Sequence, residues 1–222
     1  MIIIDEIKKS NRKTLAIKVD NLGRVIVYCP NGCSDKRIEK FVHEKENWIE
    51  KSKNRVLLTN YKYDTTNLKI GDEIYLLGEK YQLQIGNSKK IEICDKYLIL
   101  PVNYQNNVEN HLKKWLKDYG KVYLNYRLDI IANKMGIVNY SFKISSARGK
   151  WGSCSKDNLI MLNFRLMECP VTIIDYIITH ELCHILQFNH SKQFYRNLEY
   201  YYPDSKLYIK WLKDNAGILG SY

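Results

Sequence analysis

The stretch His180-Glu181-Leu182-Cys183-His184, followed by His190, constrains this chain more than any other part of it. On a helix of 3.6 residues per turn, positions four apart lie one above the other, so His180 and His184 can offer imidazole nitrogens to a single ion. Glu181 lies one step round the helix. There its carboxylate can take a proton from a bound water without acting as a ligand. The residues from Pro170 to Ile178 are strongly apolar and read as the first half of the same helix, with Pro170 suited to its first turn.

His190 supplies a third ligand of the right chemistry, since catalytic zinc sites usually take three protein ligands and leave one position to water. On a continuous helix it would point roughly 120° away from His184, so the chain has to break between them. Asn189, which tolerates the left-handed conformation, is the expected breaking point, and Ser191 can cap the next helix. Glu199, on that next helix, is the alternative third ligand.

The whole chain sets wider bounds. At 222 residues it is long enough for a sizeable core, and 45% apolar with 27% charged residues is ordinary for a soluble globular protein. Met1-Ile2-Ile3-Ile4 turns acidic at Asp5-Glu6, which is too short for a signal peptide, and no apolar run reaches membrane-spanning length. A cytoplasmic protein with no membrane partner is the expectation. The six cysteines form no C-x-x-C pair and read as reduced thiols; Cys29 and Cys33 lack the further ligands that a second metal site needs. The net charge of +11 raises the prior for nucleic acid contact, but it comes mostly from Lys and forms no concentrated basic arm.

Taken in order, residues 13 to 29 read as a β-hairpin turning at Asp20-Asn21-Leu22-Gly23. One long helix is expected from Ser34 to about Lys53, with Ile38, Phe41, Val42, Trp48 and Ile49 on one face and His43 at its surface. Arg55 to Leu68 reads as a loop, and residues 70 to 100 as strands turning at Gly78-Glu79-Lys80 and Cys94-Asp95-Lys96. A mainly antiparallel N-terminal region, 1–104, carrying one long helix is thus expected to precede a second domain, 105–222. That domain begins with a long helix from about Asn106 to Met135, stopped by Gly136, bent at Gly120 and carrying an exposed His111. A strand at Phe142 and Ile144 follows, then a Gly-rich loop from Arg148 to Ser155, then a strand from Leu159 to Leu166 where an extended substrate could pair. Helices over Ser191–Tyr202 and from Asp204 onward would pack beneath the site and hold the His190 turn.

Several of these residues match a known family. Trp151-Gly152-Ser153-Cys154, Leu162-Asn163-Phe164-Arg165-Leu166, Asp175-Tyr176, the histidine stretch, Asn189-His190-Ser191, Phe194 and Pro203-Asp204 resemble the YgjP-like metallopeptidases, which are similar to the SprT-like zinc peptidases. Lys150 stands where that family usually has Arg, Cys183 where Ala is common and Tyr195 where Trp is common. The resemblance implies an α+β fold with a zincin-like C-terminal domain, a zinc ion on His180, His184 and His190, and Glu181 as the general base. It implies a zinc metallopeptidase acting on a peptide or protein. Tyr195, Arg196, Tyr208 and Arg165 are the candidates for stabilising the oxyanion. Two rival readings are a SprT-like protease directed at DNA-bound proteins and a zinc-stabilised binding module without turnover.

Overall fold

The computed structural model describes residues 2–20, 23–60 and 68–216. The chain divides into two compact units, Met1–Tyr61 and Lys62–Tyr222.

In the first unit, β2 (Ala16–Val19) and β3 (Val25–Pro30) form the expected antiparallel hairpin; Asn21 and Leu22 of its turn lie outside the described residues. A further strand, β1 (Glu6–Ser10), pairs with β3 in parallel, so the sheet order is β1-β3-β2. Val25, Val27 and Cys29 of β3 bury themselves against Ile38, Val42 and Ile49. The single helix read from 34 to 53 is two helices, α1 (Asp35–Glu44) and α2 (Glu46–Asn60), broken at Lys45. The Lys45 N–H reaches back to Val42 rather than one residue further, a local tightening that an apolar repeat cannot reveal. Helix α2 also runs on through the polar stretch after Arg55, carried by the buried Leu58; the rest of the expected loop, 61–67, lies outside the described residues.

The second unit contains a sheet ordered β4-β5-β7-β6, from β4 (Glu73–Leu76), β5 (Glu79–Gly86), β6 (Glu92–Cys94) and β7 (Tyr97–Pro101). Its central pair, β5 and β7, is parallel and its outer pairs are antiparallel. The turn between β4 and β5 is Leu77-Gly78, both at positive φ (54° and 88°), one residue earlier than expected. Leu77 donates its N–H to the Met167 carbonyl at 2.7 Å, and a Cβ on Gly78 would meet Pro170 Cα at 2.9 Å. This hairpin tip therefore braces the chain where the site helix begins. Gly78→Ala is expected to lower stability by about 2–4 kcal/mol, through left-handed strain plus overlap with backbone. An unchanged denaturant midpoint would refute the bracing contact.

Helix α3 (Val108–Met135) ends on Gly136 in the left-handed conformation, as its sequence predicts. Gly120 has a packing role: a Cβ there would lie 2.9 Å from Met167 Cγ, so its absence lets α3 approach the segment before the site. His111 is half-buried rather than exposed, stacked on Tyr104 with ring centroids 3.7 Å apart. Next come β8 (Ser141–Ser145), β9 (Gly152–Cys154) and β10 (Leu159–Asn163) in the order β8-β10-β9. The expected Gly-rich loop thus contains a strand. The expected strand to Leu166 stops at Asn163, and Phe164–Glu168 form a 3₁₀ turn with every residue buried. Asn163 causes the change: its side-chain oxygen accepts the Arg165 N–H at 3.1 Å, a local bond that competes with continued pairing. Helices α4 (Val171–Leu186), α5 (Lys192–Tyr201) and α6 (Ser205–Asp214) complete the unit. The architecture is α+β, as expected from the sequence. Among the described residues no helix is long and apolar enough to cross a membrane.

Candidate metal centre

Helix α4 is apolar on nearly every side, and Ile173, Ile174, Ile178 and Leu182 are fully buried. That burial fixes the rotation of the helix. His180 and His184 consequently emerge together, with ring centroids 5.1 Å apart. The chain leaves the helix at Gln187, in an extended conformation (φ −151°, ψ 101°), and not at a left-handed Asn189. The break is held by hydrogen bonds: Gln187 N–H donates to the Cys183 carbonyl at 2.8 Å, and His184 Nδ1 lies 2.9 Å from the Phe188 carbonyl. Ser191 then caps α5, its hydroxyl accepting the Phe194 N–H at 3.4 Å.

This path returns His190 to the other two histidines. Its ring lies 5.2 Å from that of His180 and 4.6 Å from that of His184, and one ligand atom from each of the three falls within 4.8 Å of the others. Phe194, fully buried, forms the floor, with its ring 5.0, 4.7 and 4.6 Å from His180, His184 and His190. Glu199, the alternative ligand, is exposed on α5 and outside the cluster.

The donor set suits a divalent ion. A tetrahedral centre with bonds to nitrogen of about 2.0–2.1 Å sets its ligand atoms about 3.3–3.4 Å apart; His180 Nε2 and His190 Nε2 are separated by 3.2 Å. With Nδ1 of His184 donating to the Phe188 carbonyl, its Nε2 lone pair is left for a metal. Burial, together with the neighbouring histidines, lowers His180 to about 4, and burial also lowers His184. The two rings are therefore neutral near pH 7, the state that ligates metals.

Glu181 is only 5% exposed and points from α4 toward β9. Burial pushes its carboxyl up to about 7, against the opposing pull of Lys150. A Cβ on Gly152 would lie 2.8 Å from both Cγ and Oε1 of Glu181, so the strand approaches this side chain as closely as a glycine permits. Asn163, also buried, fixes the strand's entry. Its amide donates to the Ala147 carbonyl at 2.6 Å and the Lys150 carbonyl at 2.9 Å, while its N–H donates to the Trp151 carbonyl at 2.9 Å. Gly152, Asn163 and Lys150 were not among the site residues read from the sequence, although the Trp-Gly-Ser-Cys and Leu-Asn-Phe-Arg-Leu matches carry two of them. Strand β10, expected to pair a substrate, has β8 bonded to one edge and β9 to the other, so neither edge is open to a peptide.

A second layer anchors α4. Arg127 of α3 grips Asp175 through both carboxylate oxygens, Nε to Oδ1 at 2.9 Å and Nη2 to Oδ2. Tyr176 stacks on Tyr208 of α6 at 5.2 Å and meets Tyr202 edge-on at 5.9 Å. The candidates for oxyanion stabilisation fare unequally. Arg165 is buried with its guanidinium 4.6 Å from the Phe164 ring centre, and Tyr208 is committed to Tyr176. Arg196 is exposed on α5, whereas the Tyr195 ring is 6.2 Å from that of His190.

No curated protein matches the chain. The family description of the YgjP-like metallopeptidase domain matches residues 13–215, which takes in the hairpin of the first unit as well as the whole histidine cluster. The chain belongs to the YgjP-like metallopeptidase family.

Proposed function

We propose that the protein is a zinc-dependent peptidase that hydrolyses peptide bonds, with His180, His184 and His190 holding the ion and Glu181 as the general base. The observation that carries this reading is the convergence of three imidazoles beside one buried carboxylate. A zinc ion held there supplies Lewis acidity toward a water and a peptide carbonyl. Glu181 takes the proton from the attacking water at a carboxylate oxygen and returns it to the leaving amine. The His184–Phe188 bond and the Phe194 floor hold the imidazoles in place while this happens. A binding module without turnover would have no use for a carboxylate buried at this point, which favours an enzyme over that rival.

The peptide lies along β9 rather than β10. β9 is the outer strand on its side of the sheet, and Gly152 brings it within contact distance of Glu181. An extended chain added there would gain backbone hydrogen bonds in register with the base.

The test is the metal content of protein purified without chelator or an affinity metal. About one zinc per chain in the wild type, lost or much weakened in His190→Ala, is the expected result. Equal zinc in both would remove His190 from the ligand set, and no zinc in either would remove the proposed chemistry.

A further inference from the structure

Of the five phenylalanines, Phe41 and Phe142 are half-buried, Phe164 and Phe194 are fully buried, and only Phe188 is left exposed. It is 53% open to solvent, and its ring centre lies 6.3 Å from that of His184. We infer that Phe188 determines specificity: it is the wall that receives a large apolar side chain of the peptide beside the bond being cut.

A single exposed apolar residue is ordinary on a protein surface, so exposure alone assigns nothing. What separates Phe188 is the segment that presents it. Gln187 and Asn189 are joined across it by their side chains, Nε2 to Oδ1 at 2.8 Å. The Gln187 N–H is held by the Cys183 carbonyl and the Ser191 N–H by the Asn189 carbonyl, each at 2.8 Å. The Phe188 carbonyl itself lies 2.9 Å from Nδ1 of His184. Its backbone therefore cannot carry the ring away from the cluster without breaking a bond to one of the three converging histidines. An apolar ring on so fixed a support loses little further freedom when a partner covers it, which is what an anchoring contact needs. At 6.3 Å between centres the phenyl and the imidazole are neighbours, so a substrate residue held at His184 has Phe188 as its next contact. A leucine or phenylalanine side chain there would take apolar surface of both partners out of water. Tyr195 gives the cluster a second open ring, 6.2 Å from that of His190, but its hydroxyl gives it a reason of its own to face water. Leu186, also exposed, stands about 200° round α4 from His184 and so faces elsewhere.

This inference rests on the peptidase reading, and the experiment separates the two. Zinc-loaded wild type, Phe188→Ala, Phe188→Leu and Leu186→Ala are compared on internally quenched peptides that carry a single Phe, Leu, Ala or Lys in a constant frame of Gly and Ser. Each protein is also titrated calorimetrically with N-blocked leucine and alanine hydroxamates, whose metal-chelating group needs no turnover. The wild type is expected to cut beside Phe and Leu in preference to Ala and Lys. Phe188→Ala should lower kcat/KM on the Phe and Leu peptides about 10-fold and leave the Ala peptide unchanged. The leucine hydroxamate should weaken in parallel and the alanine hydroxamate should not. Phe188→Leu should recover most of both effects, Leu186→Ala should match the wild type, and zinc content and melting temperature should hold throughout. A wild type without apolar preference, or a preference that survives in Phe188→Ala, would overturn the inference while leaving the peptidase intact. An equal loss on all four peptides would also overturn it, making Phe188 a support for His184 instead, as would the same loss of preference in Leu186→Ala. If the wild type cleaves nothing yet favours the leucine hydroxamate through Phe188, the peptidase reading falls and the apolar contact stands; with neither cleavage nor that preference both fall.

Discussion

Glu181→Gln is expected to keep its zinc and its fold while losing peptide turnover by about 10²–10⁴-fold, the range attributed to a positioned general base. Glutamine has nearly the same shape and can fill the space beside Gly152, but its amide cannot accept the proton of an attacking water. The substitution should not harm the fold. Burial disfavours the charged carboxylate at a position only 5% exposed, so a neutral amide there removes a desolvation cost. The melting temperature is therefore expected to equal that of the wild type or exceed it. Full activity in this variant would refute the assignment of the base. Loss of zinc alongside loss of activity would instead mean that Glu181 acts by holding the ligand set together.

The parts of this site legible in the sequence are those that depend on a single element. The apolar run before His180 and the spacing of His180 and His184 define α4 and its exposed corner without any long-range contact. Ser191 as a cap and Gly136 as a helix stop are likewise local, because each answers a need of the adjacent backbone. What the sequence hides is the approach of one element to another. The parallel pairings of β1 with β3 and of β5 with β7 join strands that periodicity treats as independent. The closeness of Gly152 to Glu181 exists only because β9 lies against α4, and no spacing rule connects residues so far apart. The position of the break after His184 is hidden for a related reason. Asn189 has the better intrinsic propensity for a left-handed turn, but the hydrogen bonds from Gln187 to Cys183 and from His184 to Phe188 settle the exit two residues earlier. Asn163 shows the same override, its side chain ending a strand that alternation alone would extend to Leu166.

Gly152→Ala tests the contact between strand and base directly. The glycine is not at a positive φ, so alanine meets no backbone strain there, and the whole effect must come from space. The added methyl would fall 2.8 Å from Cγ and Oε1 and 3.0 Å from Cδ of Glu181, and all three are atoms of a side chain that can rotate. The cheapest relief is therefore for Glu181 to swing away, at a cost to stability of about 1–3 kcal/mol for overpacking. The histidines, none of which supplies the atoms nearest the added methyl, should retain zinc. The base, however, would leave its position, and a displacement near 1 Å at the reacting groups can cost about 10²-fold in rate. If the methyl acts only through Glu181, it should have little further effect in the Glu181→Gln background, so the double variant should turn over no more slowly than Glu181→Gln alone. A large additional loss there would indicate that Gly152 serves the peptide strand itself, through the closeness of its backbone to the substrate, rather than the carboxylate behind it.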